Sequence, residues 1–304
     1  MSAVPASPTT APPGRPIVLL FSQFDPTGAT GALADALTCA SMGCHAVSAL
    51  TLLAVQDSAR LGSLQPCDGE SIEDQARGLL QDMPVAAIKV GAIVSADQVQ
   101  AIAEILADYP DLPVVFDPWM PADLNGAGEA EWLVAARELL LPQTSVLMVT
   151  PTQAHRLLTA GGDDEDAPVP SPAECARRLL GLGAQHVLIA GAEVWSERFV
   201  NRLYNEDGTV QNESIDRVGL PFRGAGETLS AAIAALLAQN LAIDDAVREA
   251  NDYLGQALAA GFRAGMGDAM PDRMFWAVEE DDGEDAGEDA DEGDAESDEN
   301  DPER

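Results

Sequence analysis

Ile17-Val-Leu-Leu-Phe21, Asp25-Pro-Thr-Gly28-Ala-Thr-Gly31, Ala32 to Met42 and Val47 to Leu50 follow one another along the chain, and their order decides the fold. The first is a short continuous apolar run, the pattern of a strand buried on both faces. The second is turn-forming. The third is rich in alanine and leucine and predicts a helix, which Gly43 ends. The fourth resumes an apolar run. Strand, Gly-bearing turn, helix and strand make a βαβ unit.

Outward from this unit the alternation continues. Ala86 to Val90 reads as a strand. Ser95 then offers a helix cap, with Gln98 three residues on to complete a capping box, and Val99, Ile102 and Leu106 share one helical face. Val114 to Phe116 is a strand, Glu129 to Leu140 a helix, and Val146 to Val149 a strand running into Thr150-Pro151. Ser171-Pro172-Ala173-Glu174 starts a helix with proline at its first position, and that helix closes near Gly181. Val187 to Ala190 is the next strand. Phe199 to Tyr204 and Val210 to Ile215 flank Asp207-Gly208, a hairpin signal. The last third is helical: Leu229, Ile233, Leu236 and Leu237 mark one buried face, and Val247, Ala250, Leu254 and Leu258 another. This order predicts an α/β fold whose mostly parallel sheet is covered on both faces. Ligands of such sheets sit beyond the carboxyl ends of the strands. The residues to watch are therefore Asp25, Gln56, Lys89, Asp117, Thr150 and the Gly224 loop.

Composition narrows the function. The 304 residues carry 51 Asp and Glu against 16 Lys and Arg, for a net charge of −35, and Lys89 is the only lysine. That balance argues against a nucleic-acid binder, which needs a basic surface. No apolar run approaches the roughly 20 residues that span a bilayer. Residues 279–304 hold 16 acidic residues and one arginine, a net −15 that leaves −20 for the body. Such a like-charged tail is expected to be disordered, serving as a solubility tail or as a docking arm for a basic partner. Residues 1–15 are expected to be a disordered leader without the features of a secretory signal, which leaves 16–278 as the folded domain. Four cysteines and three histidines show no metal-ligand spacing, and the default compartment is the cytoplasm with the thiols reduced.

Arg223-Gly-Ala-Gly-Glu-Thr-Leu-Ser230 opens a helix. Its two glycines let the backbone approach a ligand, and the free amides of a helix start favour an anion, so Gly224, Ala225 and Gly226 are a candidate phosphate cradle. Gly-Ala-Gly turns also arise from tight packing. Neither a Walker loop nor the dinucleotide fingerprint is present.

Taken together, the motifs resemble the hydroxymethylpyrimidine/phosphomethylpyrimidine kinases of thiamine biosynthesis, in the ribokinase-like superfamily, over residues 15–260. They are Asp25-Pro26-Thr27-Gly28 with Gly31 and Ala34-Asp35; Ala49 to Asp57; Ile88-Lys89-Val90-Gly91; Phe116-Asp117-Pro118-Trp119-Met120; and Gly224-Ala225-Gly226-Glu227-Thr228-Leu229. The resemblance implies a ribokinase-like three-layer α/β/α fold, ATP and Mg²⁺ as cofactors, an aminopyrimidine substrate and a homodimer. It implies that Gln56 hydrogen-bonds the pyrimidine edge, that Asp25 and Asp35 border the hydroxymethyl pocket, and that Asp117 helps hold Mg²⁺. The amides of Gly224 to Glu227 would receive the transferred phosphoryl group, with Glu227 as general base.

This chain departs from the family pattern at several places. Glu227 stands where the family has cysteine, and Trp119 and Ala92 stand where it has a small residue and often methionine. Ala190 replaces a lysine, and Thr152 and His155 replace the asparagine and glutamate of a nucleotide-binding element. Three readings follow: a kinase of hydroxymethylpyrimidine or its monophosphate, a catalytically impaired homologue that binds a pyrimidine or a partner protein and regulates, and a kinase of another vitamin-like alcohol. Plainer roles stand beside the functional ones. Gln56 could cap a helix, Asp25 could serve a turn, and Asp117 could be structural. Lys89 is expected to pair with a buried carboxylate, His155 to be a surface helix residue, and Glu227 to be favoured by the helix dipole.

Overall fold

The computed structural model describes residues 14–120, 129–162 and 168–277. The acidic tail, and the leader as far as residue 13, lie outside the described residues. Among the described residues, nine strands form one sheet: β1 (Ile17–Phe24), β2 (His45–Gln56), β3 (Leu61–Pro66), β4 (Val85–Val90), β5 (Val114–Phe116), β6 (Val146–Val149), β7 (His186–Val194), β8 (Arg198–Asn205) and β9 (Gly208–Asp216). Their order is β3-β2-β1-β4-β5-β6-β7-β8-β9. The six strands from β2 to β7 in this order pair in parallel, and antiparallel strands close both edges.

Among the described residues, eight α-helices cover the sheet: α1 (Gly31–Ser41), α2 (Gly69–Asp82), α3 (Ala96–Asp108), α4 (Glu129–Leu139), α5 (Pro151–Thr159), α6 (Pro172–Leu180), α7 (Ala225–Ala238) and α8 (Ile243–Ala259). Successive strand residues point to opposite faces. Leu19 and Phe21, with Ile88, Val90 and Phe116, pack against α2 to α6, whereas Val18 and Leu20, with Ala87, Val115 and Met148, pack against α1, α7 and α8. The result is a three-layer α/β/α sandwich, as the sequence predicts. Its α7 is apolar nearly all round and buried throughout after its first turn, the mark of a helix enclosed on several sides. Among the described residues, no helix is long and apolar enough to cross a membrane.

Several sequence expectations need correction. Gln98 does not complete the capping box at Ser95. It is fully buried; its Oε1 accepts from Val94 N (2.9 Å), and its Nε2 donates to Thr51 O (2.7 Å) and Cys67 O (2.8 Å). The demand of those buried carbonyls outweighs the cap. The box forms instead at Thr150 and Gln153, opening α5. The β8–β9 turn is centred on Glu206-Asp207, one residue early, because Gly208 (φ +121°) pairs back with Asn205. Lys89 lies inside β4, not after it. Strand β3 and helix α2 occupy a stretch the sequence reading leaves unassigned. β3 is an edge strand whose residues are mostly exposed, so it carries no apolar alternation.

Candidate active site

The chain leaves β1 for the β2–β3 edge and then returns to lay β4 on the other side of β1, so the topological switch lies between β1 and β4. The loop after β1, the end of β5 and the start of α7 meet at this switch, where open α/β sheets hold their ligands.

The first loop is organised by Asp25. One carboxylate oxygen accepts from Thr27 N and Oγ1 (both 2.8 Å), the other from Thr30 N (3.0 Å) and Oγ1 (2.7 Å). Burial alone would raise its pKa, but donors from Gln56, Thr30 and Thr27 outweigh burial and hold the carboxyl below its usual range. Asp25 is fully buried, so it shapes the loop from behind. The start of α7 abuts the same loop. Gly224 has φ +89°, and a Cβ there would fall 1.9 Å from Ala29 O, so only glycine fits. The helix's first internal bond runs from Thr228 N to Gly224 O (3.0 Å), which leaves the amides of Ala225, Gly226 and Glu227 ahead of it as anion donors.

Two cavities meet at this point. One, of about 520 Å³, is lined by Thr30, Gln56, Trp119, Arg223, Gly224 and Glu227 among others. The other, of about 120 Å³, includes Asp117, Trp119, Thr150, Ala190, Gly226 and Glu227. Glu227 and Trp119 belong to both and form the divide between them. Gln56 lines the larger cavity, its amide shared between the Asp25 carboxylate, whose pKa it helps lower, and Thr30 Oγ1 at 3.5 Å. Trp119 rests on the small cluster of Leu52, Ala54 and Ala92.

Behind the divide lies a buried charge web. Lys89 Nζ donates to Asp35 Oδ1 (2.7 Å) and Ser22 Oγ to Asp35 Oδ2 (2.6 Å), with lysine and aspartate both fully buried. The pairing expected of Lys89 is present. Asp117 Oδ2 accepts from Ser230 Oγ (2.8 Å). Burial raises the Asp117 carboxyl above its usual range, against the pull of Lys89 and the Ser230 hydroxyl. Burial, and then the neighbouring Asp117 carboxylate, push Glu227 up to about 7, again against Lys89. Two carboxylates on one small cavity, each biased towards the proton, form an oxygen donor set that a hard cation would relieve. Among the described residues, no group of three or more His, Cys, Asp or Glu could hold a metal ion. A nucleotide-borne Mg²⁺ needs only one or two carboxylates plus phosphates.

The expected site residues therefore separate. Gln56, Trp119, Asp117, Gly224, Gly226 and Glu227 line the cavities. Asp25, Asp35 and Ala92 are fully buried behind the walls, and Ala225 packs towards the α1/α7/α8 core. His155, expected at the surface, is only 8 % exposed because it shares the buried face of α5 with Ala154 and Leu157. Sequence reasoning passed over Thr30 and Ser230, which lie inside the quoted motifs, and Arg273, which no motif marks.

The phosphomethylpyrimidine kinase family profile matches residues 25–272. The chain is 30 % identical over 277 residues to the hydroxymethylpyrimidine/phosphomethylpyrimidine kinase of Streptomyces coelicolor, covering 89 % of this chain and 98 % of that protein. It is also 30 % identical over 259 residues to the thiamine biosynthesis bifunctional protein ThiED of Geobacter sulfurreducens. That match covers 84 % of this chain but 52 % of the longer protein, so the chain spans about half of it. Among solved structures, the ADP complex of Bacillus subtilis pyridoxal kinase superposes with a TM-score of 0.74 at 24 % identity, over 86 % of this chain and 99 % of that one. The likeness shows a ribokinase-like fold.

Proposed function

Since the chain belongs to the phosphomethylpyrimidine kinase family, we propose that it transfers the terminal phosphoryl group of ATP to the hydroxymethyl oxygen of an aminopyrimidine, or to the phosphate of its monophosphate. The observation that carries this reading is the place of Glu227, on the divide between a roomy cavity and a small one at the start of α7. The pyrimidine occupies the larger cavity, with Gln56 on its polar edge and Trp119 on its apolar side. For the alcohol acceptor, Glu227 takes the hydroxyl proton as the oxygen attacks the γ-phosphorus. The bond from that phosphorus to the bridging oxygen breaks, and ADP departs with the electron pair. The amides of Ala225 to Glu227 meet the charge that develops on the moving group, where pre-aimed donors count most. Asp117 would hold Mg²⁺ beside the phosphates, and the ion would neutralise charge on the transferring group when bound. A carboxyl with its pKa near 7 suits a general base at neutral pH.

A second reading, a pyrimidine-binding homologue that transfers nothing, is favoured by one observation. Gln153, on the small cavity, is spent within the protein: its Oε1 accepts from Thr150 N (2.7 Å) and its Nε2 donates to Pro118 O (3.1 Å). One assay separates the two. With hydroxymethylpyrimidine, Mg²⁺ and ATP, the kinase forms ADP in proportion to pyrimidine, and Glu227→Gln lowers kcat by about 10²- to 10⁴-fold. Pyrimidine-induced thermal stabilisation without ADP selects the second reading.

A further inference from the structure

Arg273 lies one residue beyond the stretch that matches the family. It is 4 % exposed. Its backbone is pinned to α8 from both sides: Asp272 N donates to Ala257 O (2.9 Å), Tyr253 Oη donates to Arg273 O (2.7 Å), and Phe275 packs against the Tyr253 ring at 5.6 Å. The guanidinium is thereby delivered between two loops. Its Nη2 donates to Ala29 O (2.7 Å) and Gly224 O (3.4 Å), its Nη1 to Gly28 O (3.4 Å), and its Nε to Thr228 Oγ1 (3.0 Å). All four acceptors are neutral oxygens. Thr228 donates to Gly224 O with both its Oγ1 (2.7 Å) and its N (3.0 Å), so with Arg273 the Gly224 carbonyl is gripped three times.

This placement runs against simple electrostatics. A cation at a helix N-terminus opposes the helix dipole, and a buried one also loses its hydration. Burial indeed pulls the Arg273 pKa down, against the charges of Glu227, Asp35 and Asp25 around it. A planar fork that binds three carbonyls from two loops is, however, what a rigid turn requires, and lysine, a point donor of the same charge, supplies it only in part. A positive charge behind the amides of residues 225–227 also adds to their attraction for an anion.

We propose that Arg273 is a positioning residue: its guanidinium locks the Gly224 turn against the Gly28-Ala29 loop, so that the first amides of α7 stay aimed at the transferred phosphoryl group. The proposal rests on the phosphoryl-transfer reading for its consequence in turnover, but not for its consequence in anion binding. Two variants, Arg273→Met and Arg273→Lys, and two readouts test it. In turnover, Arg273→Met lowers kcat at least about tenfold while both KM values stay within about twofold, because the amides act most strongly in the transition state. Arg273→Lys keeps the charge and recovers part of the loss. In binding, the thermal shift that orthovanadate with ADP and Mg²⁺ produces in the wild-type protein shrinks in Arg273→Met. Wild-type kcat with an undiminished vanadate shift in folded Arg273→Met overturns the proposal. So does a loss of kcat that Arg273→Lys shares in full and that follows the fall in Tm. Absence of a vanadate shift in the wild-type protein overturns it as well, since no anion cradle then exists. Absence of wild-type turnover with a vanadate shift present counts against the kinase reading alone, and the shift in Arg273→Met then decides.

Discussion

The two cavities that share Glu227 and Trp119 are built on opposite principles. On the larger side, polar groups are held less completely: the Gln56 amide helps hold the Asp25 carboxyl and reaches Thr30 Oγ1 only at 3.5 Å, and Arg223 Nη1 donates to the Asp57 carbonyl at 3.1 Å. On the smaller side the polar groups are already spent. Thr150 and Gln153 satisfy each other in a capping box, Gln153 also holds the Pro118 carbonyl, and Ala190 offers no polar atom beyond its backbone. A buried polar group that already has its partners gains little from a ligand, whereas a loosely held one gains a full hydrogen bond. The larger side is therefore organised for side-chain recognition. The smaller side depends on backbone amides and on the carboxylates.

Both sides rest on the charge web behind the divide, so cutting the web is the most damaging way to test the comparison. Lys89→Met leaves Asp35 buried with the Ser22 hydroxyl as its remaining hydrogen-bond partner among the described residues. Removing one partner of a buried ion pair costs about 3–5 kcal/mol, and for a body of this size each kcal/mol moves Tm by about 2–4 °C. A clear fall in Tm is expected. The Lys89 pKa is raised in the fold: burial lowers it, and the charges of Asp35 and Asp117 more than restore it. Its contribution to stability is therefore fully present below the ordinary lysine pKa and is lost as pH rises through the raised one. Denaturant melts of wild type and Lys89→Met at neutral pH and above the lysine range check this. Curves that differ as much at high pH as at neutral pH would mean that packing, not charge, carries the effect.

A smaller effect separates the divide from the walls. Burial pushes the Glu227 carboxyl up to about 7 from its ordinary value near 4.5. A carboxylate with a raised pKa subtracts from stability as pH climbs between those two values, because the unfolded chain gives up its proton first. Glu227→Gln removes that burden. The variant, already expected to be inactive, should melt at a higher temperature than wild type at pH 8, and the gain should fade at pH 5. An equal gain at both pH values would place the burden in packing. Such a gain at the cost of turnover is the usual trade at a strained site.

How much of this was open to the sequence depends on what kind of force places each group. The layer order was legible because buried strands and helix faces write themselves as apolar runs and periodicities, as in Leu19 and Phe21 against Val18 and Leu20. β3 was not, because an edge strand facing water has no such pattern. The cavity-lining residues Gln56, Asp117 and Glu227 were legible from their motifs. Asp25 and Asp35 were singled out by those motifs too, yet the fold uses them from behind the wall, as a loop organiser and a lysine partner. A motif records that a residue matters but not whether its side chain faces the ligand. Arg273 had no motif at all. Its role depends on the return of the chain from α8 to a loop about 245 positions away in sequence, a contact that local pattern does not encode.

The gentlest way to sharpen the comparison is to add a polar group to the smaller side. Ala190 lines that cavity near the end of the parallel part of β7, and is otherwise partly buried against the α1/α7/α8 core. Ala190→Lys puts an ammonium on a flexible stem at the edge of a site that already carries two carboxylates. If the smaller side holds the nucleotide through backbone amides alone, the new charge strengthens binding to the phosphates. The KM for ATP should then fall a few-fold, about 1 kcal/mol or less for a partly exposed pair. The KM for the pyrimidine should not move, because Gln56 and Trp119 are untouched. A fall in both KM values together would show that the two cavities act as one site, and the contrast between loose and spent polar groups would then have no functional meaning.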